Sequence, residues 1–149
     1  MKYYLSVLKN YATFRGRARR SEYWYFTLFN FIFAIIAAIL DTLVGSSFTI
    51  ETINGPVQTG YGFIYMIYTL AMFIPGLSVA VRRLHDIGKS GWYILVVLIP
   101  LAGFIWLLVL LFTDSEPGNN KYGPNPKGIG NFDEIDQIGS HMVQPGMSY

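Results

Sequence analysis

Three long stretches without a charged side chain, Tyr23–Leu40, Thr52–Val81 and Ser90–Thr113, constrain this chain more than any other feature. Each holds a run of roughly 20 mostly apolar residues, about what an α-helix rising ~1.5 Å per residue needs to cross a ~30 Å hydrocarbon core. Composition agrees: the 149 residues are 52% hydrophobic and 13% charged, where a soluble domain carries about 25% charge. The pattern predicts an all-α membrane protein with three transmembrane helices, over about 23–44, 62–81 and 92–112. An amphipathic N-terminal interfacial helix precedes them and an irregular C-terminal tail follows. The membrane domain covers 1–127, and 128–149 reads as a flexible C-terminal extension. The first apolar run exceeds the ~7 to 15 residues of a secretory signal, so it is expected to remain as an anchor.

The basic residues set the orientation. Lys2, Lys9, Arg15, Arg17, Arg19 and Arg20 precede the first span, Arg82, Arg83 and Lys89 follow the second, and the Gly45–Gly60 loop has none. The positive-inside rule places the N-terminus and the 82–91 loop in the cytoplasm and Asn54-Gly55-Pro56 outside. Three spans would leave the tail outside as well, with Lys121 and Lys127 standing against that assignment.

At 100° per residue, Lys2, Ser6, Lys9, Asn10 and Thr13 share one arc and the aromatic and aliphatic residues fill the rest. Such a helix lies flat at the inner headgroup boundary, or packs on the protein's own loops. Ser21 is placed to cap the first span, and Glu22 to sit at the positive end of its dipole. Within the spans Asn30 is expected to face another helix, Asp41 to reach water at the outer end, and Pro75-Gly76 and Pro100 to bend their helices.

The densest set of chemical groups is the inner loop, Arg82-Arg83-Leu84-His85-Asp86 to Lys89-Ser90-Gly91. Arg82, Arg83 and Lys89, joined by Arg15, Arg17, Arg19 and Arg20, form the candidate surface for lipid headgroups or other anions, where each exposed cation contributes about 1 kcal/mol near an anionic membrane. His85 and Asp86 are the weak candidates for acid/base catalysis. Neighbours on a helix do not face each other, so their spacing does not make a dyad. A phosphate-binding loop at Gly88-Lys89-Ser90 fails because Arg83 stands where its first glycine is needed. With no cysteine and only two histidines no metal site is expected, nor any cofactor or nucleic-acid partner.

Three segments carry a resemblance: Phe14-Arg15-Gly16-Arg17-Ala18-Arg19-Arg20-Ser21-Glu22-Tyr23-Trp24, then Arg82–Asp86 running to Ser90-Gly91-Trp92, and Asn120-Lys121-Tyr122-Gly123-Pro124-Asn125-Pro126. In this order and spacing they resemble the signatures of the domain of unknown function 805 family. The resemblance implies a multi-pass bacterial inner-membrane protein, carries no catalytic residues with it, and suggests that 113–127 is more than a passive linker. Together these readings predict a non-enzymatic membrane component that binds anionic lipid, further copies of itself or other membrane proteins. The alternatives are a small transporter or channel subunit and an enzyme acting on a phosphorylated lipid.

Overall fold

Two of the uncharged stretches become long helices and the third does not. The computed structural model describes residues 2–131 in the order α1 (Lys2–Lys9), α2 (Arg20–Val44), β1 (Ser47–Thr52), β2 (Gly55–Gly62), α3 (Phe63–Asp86), a 3₁₀ helix (Gly91–Leu98) and α4 (Ala102–Phe112). These residues form two compact units, one of 2–13 with 21–79 and one of 14–20 with 80–131, and α3 supplies residues to both. The sequence from 132 onward, most of the expected flexible extension, lies outside the described residues.

In the first unit, α2 and α3 are each long and apolar enough to cross a membrane. They leave Leu28, Phe31, Ile35, Ile67 and Leu70 exposed. That surface suits hydrocarbon rather than water. Between the helices the Tyr68 hydroxyl donates to Asn30 Oδ1 at 2.7 Å, so the Asn30 amide oxygen meets the neighbouring helix as expected. Helix α3 runs through Pro75. Proline has no N–H to give the carbonyl four residues back, that of Ala71, and the Tyr11 hydroxyl donates to that carbonyl instead.

Four expectations are corrected in this unit. The fold is not all-α, because Ser47–Thr52 pairs antiparallel with Gly55–Gly62 in a two-stranded hairpin. Asp41 does not reach water. It is fully buried, and its carboxylate accepts from Ser46 Oγ at 2.6 Å and from the backbone N–H groups of Gly62, Ile64 and Tyr65 at 2.9, 3.0 and 2.8 Å. Those N–H groups open α3 and have no partner within the helix, so a carboxylate from α2 caps α3 and complements its dipole. Helix α2 begins at Arg20, which puts Ser21 inside the first turn rather than at the cap. Finally, Tyr4 and Val7 of α1 are buried, with the Tyr4 ring 5.4 Å from Phe26 and 5.4 Å from Phe33. That part of the aromatic face packs on α2 instead of entering the headgroup layer.

The second unit contains the largest correction, since no single span forms over 92–112. A 3₁₀ helix of eight residues runs to Leu98, and α4 of 11 residues starts at Ala102. The chain reverses between them. Leu101 has φ 58° and ψ −63°, and the Ala102 N–H donates to the Pro100 carbonyl at 2.6 Å, the geometry of the rarer, positive-φ γ-turn. Gly103 is buried beside Val96, and a side chain there would strike the Val96 carbonyl. The first turn of α4 therefore lies directly against the 3₁₀ helix.

Both open ends of this hairpin return to the end of α3. A Cβ on Gly91 would stand 2.7 Å from Val81 Cγ1, while Arg83 Nε donates to the Leu111 carbonyl at 3.2 Å. The expectation that the tail sits across the membrane from Arg15–Arg20 is overturned too, because Arg17 is hydrogen-bonded directly to tail carbonyls.

Candidate functional site

Residues 14–20, the end of α3 and residues 113–131 converge on one carboxylate, that of Asp86. The polypeptide turns at Gly16, whose φ of 84° favours glycine, and the Ala18 N–H then donates to the Arg82 carbonyl at 3.0 Å. This docks the basic segment on α3 and carries Arg17 inward.

Arg17 Nε donates to Asp86 Oδ1 at 2.9 Å, with side chains 1% and 0% exposed. Its Nη atoms reach the carbonyls of Gly118 at 2.8 Å, Gly123 at 3.3 Å, Asp86 at 3.2 Å and Glu116. Arg83, one helical turn before Asp86, donates to Asp86 Oδ2, to Leu111 and to Thr113. Ser115 Oγ adds a bond to Oδ2 at 2.5 Å. A buried carboxylate between two guanidinium groups is tolerable only when its lone pairs and their protons are matched in this way. The carbonyls taken by Arg83 lie at the C-terminal end of α4, where helical partners run out and the dipole favours a cation. Arg20 does the same for Phe112 at 3.0 Å.

The tail is irregular yet held. Asn120 and Gly123 exchange backbone bonds at 3.1 and 3.0 Å, and Asn120 Nδ2 donates to the His85 carbonyl at 3.0 Å. This sets the Tyr122 ring against the His85 imidazole, centroids 3.7 Å apart and planes inclined by 6°. Buried Asn125 donates to Glu116 O at 2.8 Å, and Arg19 reaches the Pro126 carbonyl. The extension expected to be flexible from 128 is bound as far as 131, since Gly118 N–H donates to Ile129 O at 2.8 Å and Asn131 Oδ1 accepts from Asn125 N–H at 2.8 Å. At the surface, Asp114 meets Lys127 at 2.6 Å and Arg20 at 3.1 Å. The bond from Lys127, then that from the Ser115 N–H, holds its carboxyl below the usual carboxylate range.

The predicted residues thus separate. Arg17, Arg82 and Arg83 are buried, Arg19 and Arg20 are partly exposed, and Arg15 and Lys89 are exposed. His85 and Asp86 do not bond to each other: Nδ1 of His85 faces the Gly16 carbonyl at 3.3 Å, and Asp86 is enclosed by its arginines and Ser115. Among the described residues no group of three or more potential metal ligands comes together. The residues that reading the inner loop alone misses are Ser115, Glu116, Asn120, Tyr122 and Asn125. The Asn120–Pro126 signature was the trace of Asn120, Tyr122 and Asn125, and Ser115 and Glu116 lie outside it.

Residues 11–124 match the family model described as "Protein of unknown function (DUF805)". The chain is similar to "Inner membrane protein YhaH" of Escherichia coli (strain K12), 43% identical over 129 residues that cover 85% of this chain and 98% of the relative. It is also similar to "Inner membrane protein YhaI" of the same strain, 42% identical over 127 residues that cover 85% and 97%. No solved structure gives a significant match. The matched region contains the basic segment, α2, α3 and the tail as far as Pro124, and the chain belongs to this DUF805 family of inner-membrane proteins.

Proposed function

We propose that this protein is a non-enzymatic, multi-pass component of the inner membrane whose cytoplasmic side is a rigid platform for anionic lipid headgroups. The observation that carries the reading is the enclosure of Asp86. Its oxygens are occupied by Arg17, Arg83 and Ser115, which suits a structural lock and closes the Asp86 carboxylate to proton transfer with the neighbouring His85. The lock also removes Arg17 and Arg83 from the candidate headgroup contacts. Arg15 and Lys89 remain exposed, and cations of this kind gain about 1 kcal/mol each beside an anionic bilayer surface.

The N-terminus and the 82–91 loop are assigned to the cytoplasm by their basic content, and the 47–62 hairpin to the opposite side. The experiment compares wild type with Arg15→Glu/Lys89→Glu by the ratio of phosphatidylglycerol to phosphatidylethanolamine that co-purifies in mild detergent. The double variant is expected to lose anionic lipid several-fold with an unchanged melting temperature. Equal ratios in the two proteins sink the proposal.

A further inference from the structure

We propose that residues 91–112 form a re-entrant hairpin embedded among the acyl chains of one leaflet, the leaflet on the Asp86 side, so that among the described residues only α2 and α3 cross the membrane. The inference rests on reading those two helices as spans, and it concerns a different part of the molecule from the headgroup contacts.

Its length is the first argument. The eight-residue 3₁₀ helix rises about 16 Å at ~2.0 Å per residue, and the 11 residues of α4 rise about 16 Å at ~1.5 Å per residue. Each leg therefore reaches about half of a ~30 Å hydrocarbon core. The second argument is closure. The first leg starts beside Val81 and the second ends on Arg83, both in the last turns of α3, so both mouths open on the side where α3 ends.

Chemistry selects the occupant. No charged residue lies between Lys89 and Asp114, and both legs and the turn expose large apolar side chains, Trp92, Leu98, Leu101, Phe104, Trp106 and Phe112. A surface apolar on every side matches acyl chains; a protein partner would cover one face. The backbone is prepared for this medium as well, because the terminal carbonyls Leu111, Phe112 and Thr113 are taken by Arg83 and Arg20, which leaves them satisfied away from water. Lys89 and Tyr93, 5.8 Å apart at the mouth, supply the cation and aromatic ring usual at the headgroup level.

The absence of cysteine makes the test direct. Single variants Ile53→Cys, at the exposed tip of the β-hairpin, Leu101→Cys, at the exposed γ-turn, and Lys121→Cys, in the tail, are labelled with a membrane-impermeant maleimide in right-side-out and inverted inner-membrane vesicles. Residues 53 and 121 are expected to react from opposite sides and residue 101 from neither. Labelling of 53 and 121 from the same side, or of 101 from the side of 53, overturns the hairpin. Labelling of 53 and 121 from opposite sides but with 121 reacting from the periplasm retains the hairpin and refutes the cytoplasmic orientation above.

The lipid occupant is read from Trp106 in a Trp24→Phe/Trp92→Phe background, reconstituted with phospholipids brominated along the chains. At least two-fold quenching is expected. Unquenched fluorescence means that a second copy or another protein covers the hairpin, and overturns the acyl-chain assignment.

Discussion

Arg17 and Asp86, 69 residues apart in sequence, share an ion pair of 2.9 Å from which water is excluded. Because Arg83 lies on the other carboxylate oxygen, Asp86 is the common counter-charge of two buried cations. Asp86→Asn keeps the shape and removes the charge, leaving both guanidinium groups uncompensated at a cost of about 3–5 kcal/mol. The expected outcome is a lower melting temperature in detergent together with rapid tryptic cleavage at Lys121. Unchanged melting would mean that the carbonyl bonds of the two arginines hold the unit without Asp86.

Tyr11 supplies a second measurable bond. Its hydroxyl donates to the Ala71 carbonyl, which lacks its helical partner because residue 75 is proline. Tyr11→Phe leaves that carbonyl unsatisfied and should destabilise the protein by about 1–3 kcal/mol. In a Pro75→Ala background the backbone N–H returns and the same substitution should cost far less. A double-mutant cycle from reversible unfolding in micelles tests the coupling, and additive costs would contradict it.

The contrast between the spans and the remaining elements shows what hydropathy conveys. The apolar runs behind α2 and α3 were legible because helix length is set by bilayer thickness, and the Asn30–Tyr68 pairing because an isolated amide in hydrocarbon needs a partner. The stretch 91–112 is at least as apolar and carries no charged residue, yet its course depends on Pro100 and on Gly103 lying against Val96, local features that an average over 20 residues removes. In the first loop, Phe48, Ile50 and Thr52 alternate toward Asn54-Gly55, a hairpin signal hidden by calling the segment a connector. The cluster was visible as three basic or polar signatures, but pairing Arg17 with Asp86 requires knowing that the chain folds back. Seven cations read as one surface because sequence shows charge and not burial.

Asp41 makes the case for a carboxylate used as a cap. It accepts four hydrogen bonds, three of them from backbone N–H groups around the start of α3. Asp41→Ala should cost about 2 kcal/mol or more, the loss of an N-cap compounded by burial. Asp41→Asn retains one oxygen and places a donor against N–H groups, so it should recover only a small part of that loss. Thermal unfolding of the two variants checks the order, and an asparagine variant as stable as wild type would show that the charge is dispensable.

Acid should act on the tail through Asp114. The Lys127 bond, the Ser115 N–H and Arg20 favour its ionised form, so its folded pKa lies below the ~3.9 of a free aspartate. A carboxyl depressed in this way contributes stability above the unfolded pKa and loses it as pH falls through the folded one. The side chain is 59% exposed, so the effect is small and salt-screened. Hydrogen exchange over residues 118–127 should stay level from pH 8 to about 5, after correction for intrinsic rates, and rise below about 4. Asp114→Asn should flatten that rise. Loosening already at pH 6 in both proteins would instead implicate the imidazole of His85, stacked on Tyr122 within the same cluster, and would move the acid sensitivity from the rim of the tail to its anchor.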